Sequence, residues 1–563
     1  MSRLTVALLL TASLLTVPLA GQGGAASIRP SDLRTWLTYI ASDELQGRAV
    51  YSTGIGLAAA YVADHLREWG VRPGGDDGSY FQTVRVLGIR STNRSRLVVT
   101  VGDETRTFAN GEGIRFPSNV GGSRTVRVDR VEFAGYGVDA PLAGREDYAG
   151  RDVAGAAVVW LGARGPKGLG DGYQRIVNGR SRYATDQRGA VAAIGAAAAP
   201  PAGAGARGAG GGRGGRAQQI PTPDFTTVQR LDQPLPPTPN GEDALFEFLF
   251  SQAEVPYAEL KRLADAQEDL PRFSLEGVTM TFEIDAEYEV VRTQYAHNVV
   301  GIVDGSDPAL RDTYVAIGAH LDHVGYAEGE LADDGDAPRR PQAPGRIRQG
   351  FEQDRIWNGA DDDGSGIVGV MAVARAFAQG PRPPRSLLFV WHTGEERGLL
   401  GSRFYADYPT VPLDRIVAQV NVDMIGRNRD DKASEADTVY PVGSDRISSE
   451  LDGVLRAANA ALARPLVLDY ELNDPNDLEQ IYYRSDHYSY AAKGVPVVFL
   501  TTGLHPDYHA NTDDVSKIEF DKLARVAGLI HATGLRLASL ERPLVRDNLG
   551  PRTGRSVRTS QAQ

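Results

Sequence analysis

Residues 313–323 read TYVAIGAHLDH. From Tyr314 to Gly318 the run is apolar on both of its alternating faces, and Ala319-His320-Leu321-Asp322-His323 follows it. A strand patterned this way is buried on both sides, since a half-exposed strand would alternate apolar with polar. The same form recurs at Asn298–Val303, Ser386–Trp391, Ile416–Val422 and Val495–Leu500. Helical stretches separate these runs, at Gly364–Ala378, Ser402–Tyr408, Glu450–Leu462 and Lys517–Ala538. Short doubly apolar strands alternating with helices predict an α/β domain whose sheet is covered on both faces. In such sheets, binding residues gather just beyond the strand ends.

Working outward, the chain opens on an address. One basic residue (Arg3), an apolar run from Leu4 to Leu19 and small residues from Ala20 to Ser27 are the layout of a secretory leader. Residues 1–26 are therefore expected to be a signal peptide, and the protein to be exported, periplasmic or secreted. The run is short and polar-spotted for a membrane span, and no cysteine follows it to carry a lipid. Residues 30–70 read as two helices, the first capped by Asp32 and the second running from Gly56 to Trp69; strands follow over 84–116 and 127–161. Residues 195–216, GAAAAPPAGAGARGAGGGRGGR, read as a flexible loop, because such a composition buries too little to order itself. A second loop, 327–353, is rich in Gly, Pro, Asp and Arg, and the polar tail 542–563 is expected to be disordered.

Composition narrows the function. The 563 residues are 42% hydrophobic and 23% charged, as in folded chains of two to four domains. Sixty basic against seventy-two acidic residues leave a net charge of −12, which argues against a nucleic-acid partner. Cysteine is absent, so there is no disulfide, no thiolate metal site and no cysteine nucleophile. Any metal must be held by His, Asp and Glu.

Those residue types cluster at the strand ends. His320-Leu321-Asp322-His323 follows one strand, and His392-Thr393-Gly394-Glu395-Glu396 another. Asp423-Met424-Ile425-Gly426 follows a third, and His505 to Asp514 lies beyond the last; Asp361-Asp362-Asp363 opens the Gly364 helix. Taken singly, the aspartate trio reads as a helix cap, Glu395-Glu396 as solvated surface and His509 as a surface histidine. Together they point to a metal centre. Clustered carboxylates repel and raise one another's pKa values, and a divalent cation removes that conflict. Imidazole and carboxylate suit zinc when thiolate is unavailable.

These stretches carry a resemblance. GAHLDHVG (318–325), NGADDDGSG (358–366), GEERGLLGS (394–402), NVDMIGR (421–427), RSDHYSY (484–490) and YHANTDD (508–514) resemble, in order and spacing, the motifs of the M28 zinc peptidases, over roughly Asn298 to Leu540. The resemblance implies a three-layer αβα zinc exopeptidase domain with a mixed sheet. It implies two zinc ions, one on His320 and Asp423, the other on Glu396 and His509, with Asp361 bridging. Glu395 would be the general base, and Tyr482 would stabilise the oxyanion. Asp322 would hold His320 in its tautomer, and a cis peptide would join Asp361 to Asp362. His323, His392, His487 and His505 would sit near the cleft without being ligands.

A second resemblance, to a protease-associated (PA) domain, rests on FAGYG (133–137), DYAGRDVAG (147–155) and RGAVAAI (188–194). It implies a β-rich PA domain at 123–288 interrupting the peptidase domain, whose parts would be 28–122 and 289–541. The implied activity is an exported aminopeptidase acting on peptide substrates, with no membrane attachment after leader removal. The alternatives are a carboxypeptidase similar to glutamate carboxypeptidase II and a non-catalytic binding module on the same scaffold.

Overall fold

The computed structural model describes residues 24–196, 222–327 and 343–548. The expected leader up to residue 23, the Gly-rich stretch 197–221, residues 328–342 of the second loop and the tail from 549 lie outside the described residues.

The main sheet has ten strands. In chain order its principal members are β1 (Phe81–Asn93), β2 (Phe225–Thr227), β3 (Ala286–Val303), β4 (Tyr314–His320), β5 (Ser386–His392), β6 (Ile416–Val422), β7 (Thr438–Val442), β8 (Val467–Leu468) and β9 (Val497–Thr501). Their spatial order is β2-β1-β3-β5-β4-β6-β9-β7-β8, and Arg72–Pro73 pairs with β3. β5, β4, β6 and β9 are mutually parallel, while β3 and β7 flank them antiparallel. The sheet is therefore mixed, with a parallel core whose carboxyl ends share one edge. β7 went unseen in the sequence because its five residues, with Pro441 among them, look like a loop.

Period-two alternation sends side chains to opposite faces, and both are covered. Ile317, Phe389, Val420 and Val498 pack with helices Pro30–Ile40, Thr53–Glu68, Gly366–Gln379, Ser449–Ala460 and Phe520–Ala538. Ala316, Leu388, Val390 and Val497 pack on the other face with Tyr405 and Tyr490, from helices Leu400–Asp407 and His487–Ala491. This is the three-layer αβα arrangement. The first helix starts at Pro30, two residues before the expected cap, with its N1 position filled by proline. The second starts at Thr53, capped by Ser52, whose hydroxyl accepts from the Ile55 amide.

A buried arginine ties the amino-terminal segment to the strand ends. Arg48 is fully buried, and its guanidinium donates to the carbonyls of Ile40, Leu321, Asn358 and Gly359 at 2.7–3.1 Å. It thereby joins the first helix, the segment after β4 and the turn before Asp361. Burial pulls its pKa down, and Asp362 and Asp363 offset only part of that.

Residues between β1 and β3 build a second unit. Arg96–Val101, Glu104–Ala109, Arg124–Val128 and Val278–Ile284 form a four-stranded antiparallel sheet. Val131–Phe133, Ala157–Trp160 and Ala192–Ala196 are parallel neighbours in a six-stranded sheet beside it. Strands 96–115 were expected in the first part of the peptidase domain. They pair instead with 240–241 and 278–283, so the chain leaves the main sheet about thirty residues earlier than position 123. Conversely, β2 returns from the middle of the insert to pair with β1. Strand partners are set by register across long loops, which local composition does not encode. The tail also differs at its start. Leu544 is buried, Arg542 pairs with Glu450 and Asp547 accepts from the Ser449 amide, so residues 542–548 are tethered to the domain through these contacts.

Leu388 is fully buried in β5 on the side facing the two short helices. Leu388→Ala is expected to cost about 2–5 kcal/mol and lower the melting temperature by several degrees in a thermal unfolding scan.

Candidate metal centre

The carboxyl ends of β4, β5 and β6 deliver His320, the Glu395-Glu396 turn and Asp423 to one place. His509 arrives from the segment after β9 in a left-handed conformation (φ 53°), and Met424, just after Asp423, shares that geometry (φ 56°). Non-glycine residues rarely adopt it, and such outliers persist where surroundings over-determine them.

The aspartate aimed between the histidines is Asp362. One carboxylate oxygen lies 3.3 Å from His320 Nε2; the other lies 3.1 Å from His509 Nε2. His320 Nε2 is also 3.6 Å from Asp423, and His509 Nε2 is 3.0 Å from Glu396. Asp362 thus spans two pairs, His320 with Asp423 and His509 with Glu396. Asp361, the expected bridge, points elsewhere. Its Oδ1 accepts from the Gly426 amide at 2.6 Å and its Oδ2 faces His505 Nε2 at 3.3 Å. Asp363 accepts from the amides of His320, Gly366 and Met424. The cis peptide likewise lies one residue later than expected, at Asp362–Asp363. Three consecutive aspartates are indistinguishable by composition. Which one faces the centre depends on a turn entered through Gly359 at φ 57° and continued through non-helical Asp362 and Asp363.

Two other expectations change. His320 Nδ1 donates to the Asp322 backbone carbonyl at 2.9 Å, so the carbonyl selects the tautomer. The Asp322 carboxylate instead accepts from the amides of Glu395 and Glu396, at 3.0 and 3.2 Å, and shapes the turn that presents both. Tyr482 does not line the cavity. Its ring is buried in the apolar core, with the Arg446 guanidinium 4.3 Å from its centroid and His487 packed against it.

The cavity, about 40 Å³, is lined by Asp362, Glu395 and Asp423 on one side and by Met424, Ile481, Arg484, Ser485, Tyr508 and His509 around the rest. Tyr508 and Arg484 escaped the sequence reading, although Tyr508 adjoins His509 in the YHANTDD motif. The Tyr508 ring stacks on His509 at 4.0 Å, and its hydroxyl accepts from Arg484 at 3.0 Å. His323 also joins, with Nδ1 3.0 Å from Glu396. His392 is buried against Tyr490 and His505 against Asp361; neither lines the cavity. A larger cavity of about 650 Å³ lies between the Thr53–Glu68 helix, β1 and β3, but it holds no comparable convergence of charged groups. Size does not locate this site; donor geometry does.

The electrostatics fit a cation. His320, Asp363 and Asp423 bring one ligand atom each to within 4.8 Å of one another, as do His323, Asp362 and Glu396. Burial pushes Glu395 well above the usual carboxylate range, His320 opposing and Glu396 adding to the rise. Burial would raise Asp362 too, but hydrogen bonds from His320 and His509 hold it well below. Burial would lower His509; its bonds to Asp362 and Glu396 override that and push it up to about 10. In the protein alone, protonated imidazoles balance the carboxylates, and a divalent metal would replace those protons. His320, Asp423, Asp362, Glu396 and His509 are the donor set suited to it.

Residues 298–534 match peptidase family M28. Among curated proteins, the leucine aminopeptidase 1 of Trichophyton equinum is 24% identical over 244 residues, covering 42% of this chain and 56% of that protein. A probable leucine aminopeptidase of Trichophyton verrucosum is 27% identical over 241 residues, covering 41% and 56%. The chain therefore spans about half the length of the curated relatives it matches. Among solved structures, an aminopeptidase from Aneurinibacillus sp. strain AM-1 aligns over 93% of this chain and 97% of its own, with 18% identity and a TM-score of 0.42. The parallel strand ends, the aspartate turn and both histidine-bearing segments all fall inside the span, residues 298–534, that matches peptidase family M28.

Proposed function

We propose that the protein is an exported dizinc aminopeptidase. The observation that carries this reading is Asp362, whose two oxygens face separate His–carboxylate pairs 3.3 and 3.1 Å away. His320 and Asp423 would hold one zinc, Glu396 and His509 the other, and Asp362 would bridge them. Zinc bound there would supply Lewis-acid activation of a water and of the scissile carbonyl. Export is supported by the leader-like residues 1–26, and among the described residues no helix is long and apolar enough to cross a membrane. The second unit keeps its reading as a PA-like domain from the FAGYG and DYAGRDVAG stretches.

The chain's own residues divide the remaining work. Glu395 is half-buried in the cavity wall beside Asp362 and Asp423, with its pKa raised by desolvation. A carboxylate poised nearer neutrality takes a proton from water and returns it to the leaving amine. Tyr508 takes the role expected of Tyr482. Its hydroxyl oxygen accepts from Arg484, which leaves its own proton to donate to the developing oxyanion. Met424, Ile481 and Phe499 give the cavity an apolar wall for a side chain.

Carboxylates dominate the cavity, which favours a substrate ammonium. Arg427, one of two arginines weighed from sequence, is consumed by Asp507 and Asp431, and Arg397 is exposed. Arg484 supports the carboxypeptidase alternative, because it is a guanidinium in the cavity wall. Its charge is already matched by Glu479 at 2.6 Å.

Three outcomes test the reading. Glu395→Gln should lower kcat by about 10²–10⁴ while zinc content and melting temperature stay put; wild-type turnover would remove Glu395 from the role. Asp362→Asn should deplete bound zinc, measured by elemental analysis after dialysis. Asp361→Asn should keep its zinc and lose stability, because an uncharged NH2 replaces the carboxylate oxygen that faces His505; the reverse pattern would restore Asp361 as the bridge. Finally, N-acetylation of a test peptide should abolish cleavage and C-terminal amidation should leave it unchanged. Cleavage of the acetylated peptide with loss on the amidated one would replace the aminopeptidase with a carboxypeptidase.

A further inference from the structure

The cavity wall at residues 479–488 has two working faces. Toward the centre it presents Ile481, Arg484 and Ser485. Ser485 accepts from Asn421 at 2.8 Å and bonds the Asp423 carboxylate. The opposite face is held by the second unit. Tyr488 donates its hydroxyl to Asp186 at 2.8 Å, and the Arg182 guanidinium lies 3.9 Å from the Tyr483 ring centroid. Arg175 reaches Glu479 at 3.4 Å. The attachments land on positions 479, 483 and 488, and the cavity residues lie between them. The Arg175 pair is exposed and contributes little by itself. Asp186 is only 6% exposed, so its bond to Tyr488 is shielded from water and is the firmer anchor.

Glu479 connects the faces. Its carboxylate takes one guanidinium nitrogen of Arg484 at 2.6 Å, and the other nitrogen donates to the Tyr508 hydroxyl at 3.0 Å. A planar guanidinium fixed at both ends has one orientation left. Tyr508 is stacked on His509, so the position of its hydroxyl follows from Arg484. Asp186 and Arg182 hold the segment at Tyr488 and Tyr483, and within the segment the contacts run from Glu479 through Arg484 to a hydroxyl in the cavity.

We propose that Glu479 is a positioning residue for the reaction, and that the second unit, through Asp186 and Arg182, uses the 479–488 segment to fix Arg484 and the Tyr508 hydroxyl over the cavity. This rests on the aminopeptidase reading with Tyr508 as the oxyanion donor. The second unit then acts on the chemical step, beyond shielding the cleft. Loss of the connection should lower kcat with little change in KM, because an interaction made only in the transition state is misplaced.

The test is steady-state hydrolysis of an aminoacyl p-nitroanilide by the zinc-loaded full chain. Glu479→Gln, which keeps the side-chain volume, should lower kcat about 5–30-fold with KM within twofold and zinc content unchanged. The double variant Arg182→Gln/Asp186→Ala should lower kcat in the same direction. In a Tyr508→Phe background neither change should lower kcat further, since the group they position is gone. A purely structural role would give the same loss in both backgrounds, and that result overturns the proposal. So does a kcat within twofold of wild type for Glu479→Gln. Absence of hydrolysis by the wild-type chain would sink the aminopeptidase reading itself, and it would be seen before any variant is compared.

Discussion

Asp322, Asp361, Asp363 and Asp513 are all buried, and each accepts hydrogen bonds from the backbone amides of a neighbouring turn. Asp513 takes the amides of Asp361 and Asp362; Asp363 takes those of His320, Gly366 and Met424. A carboxylate satisfied by amides is stable where an unpaired one would be expelled or protonated. These four residues fix the turns at the ends of β4, β5 and β6 and the turn that opens the Gly366–Gln379 helix. With the turns fixed, Asp362, Glu395, Glu396 and Asp423 have no other direction to point than into a common space. The centre therefore depends on a frame of amide-bound carboxylates around a second set left without amides.

Packing puts that frame where it is useful. A parallel sheet core needs crossover connections, and the crossovers cover both faces with helices. The strand ends are then the open place where several turns converge. Arg48 adds a cation from outside the parallel core, with its donors spent on carbonyls of the first helix, the segment after β4 and the turn preceding the aspartates. Its charge also offsets part of the acidity gathered there. The amino-terminal helices are in this way bound to the centre by polar contacts as well as by the shared apolar core.

The insert between β1 and β3 enters this economy from the side. Apart from β2, its strands pair among themselves, yet it touches the 479–488 segment at three places. That segment carries part of the cavity wall. A domain added to a sheet edge thereby contacts the wall of a cavity at the strand ends, through side chains that lie far apart in sequence.

The sequence by itself determined the α/β class, the five strands of the sheet's centre and the presence of a His, Asp and Glu centre at their ends, because doubly apolar runs and strand-end polar clusters are local patterns. Glu395, His320, Glu396, Asp423 and His509 fell within those clusters, the resemblance to M28 motifs singled them out, and the cavity contains or borders them. Tertiary structure decided the rest. The choice among Asp361, Asp362 and Asp363 depended on backbone angles in one turn. Tyr508 lines the cavity and Tyr482 does not, because the apolar core under Arg446 takes the latter's ring. Strands 96–115 went to the second unit because their partners lie more than a hundred residues away. Side-chain direction within a turn and strand pairing across long loops are set by contacts between distant parts of the chain, and a residue pattern read in one dimension does not contain them.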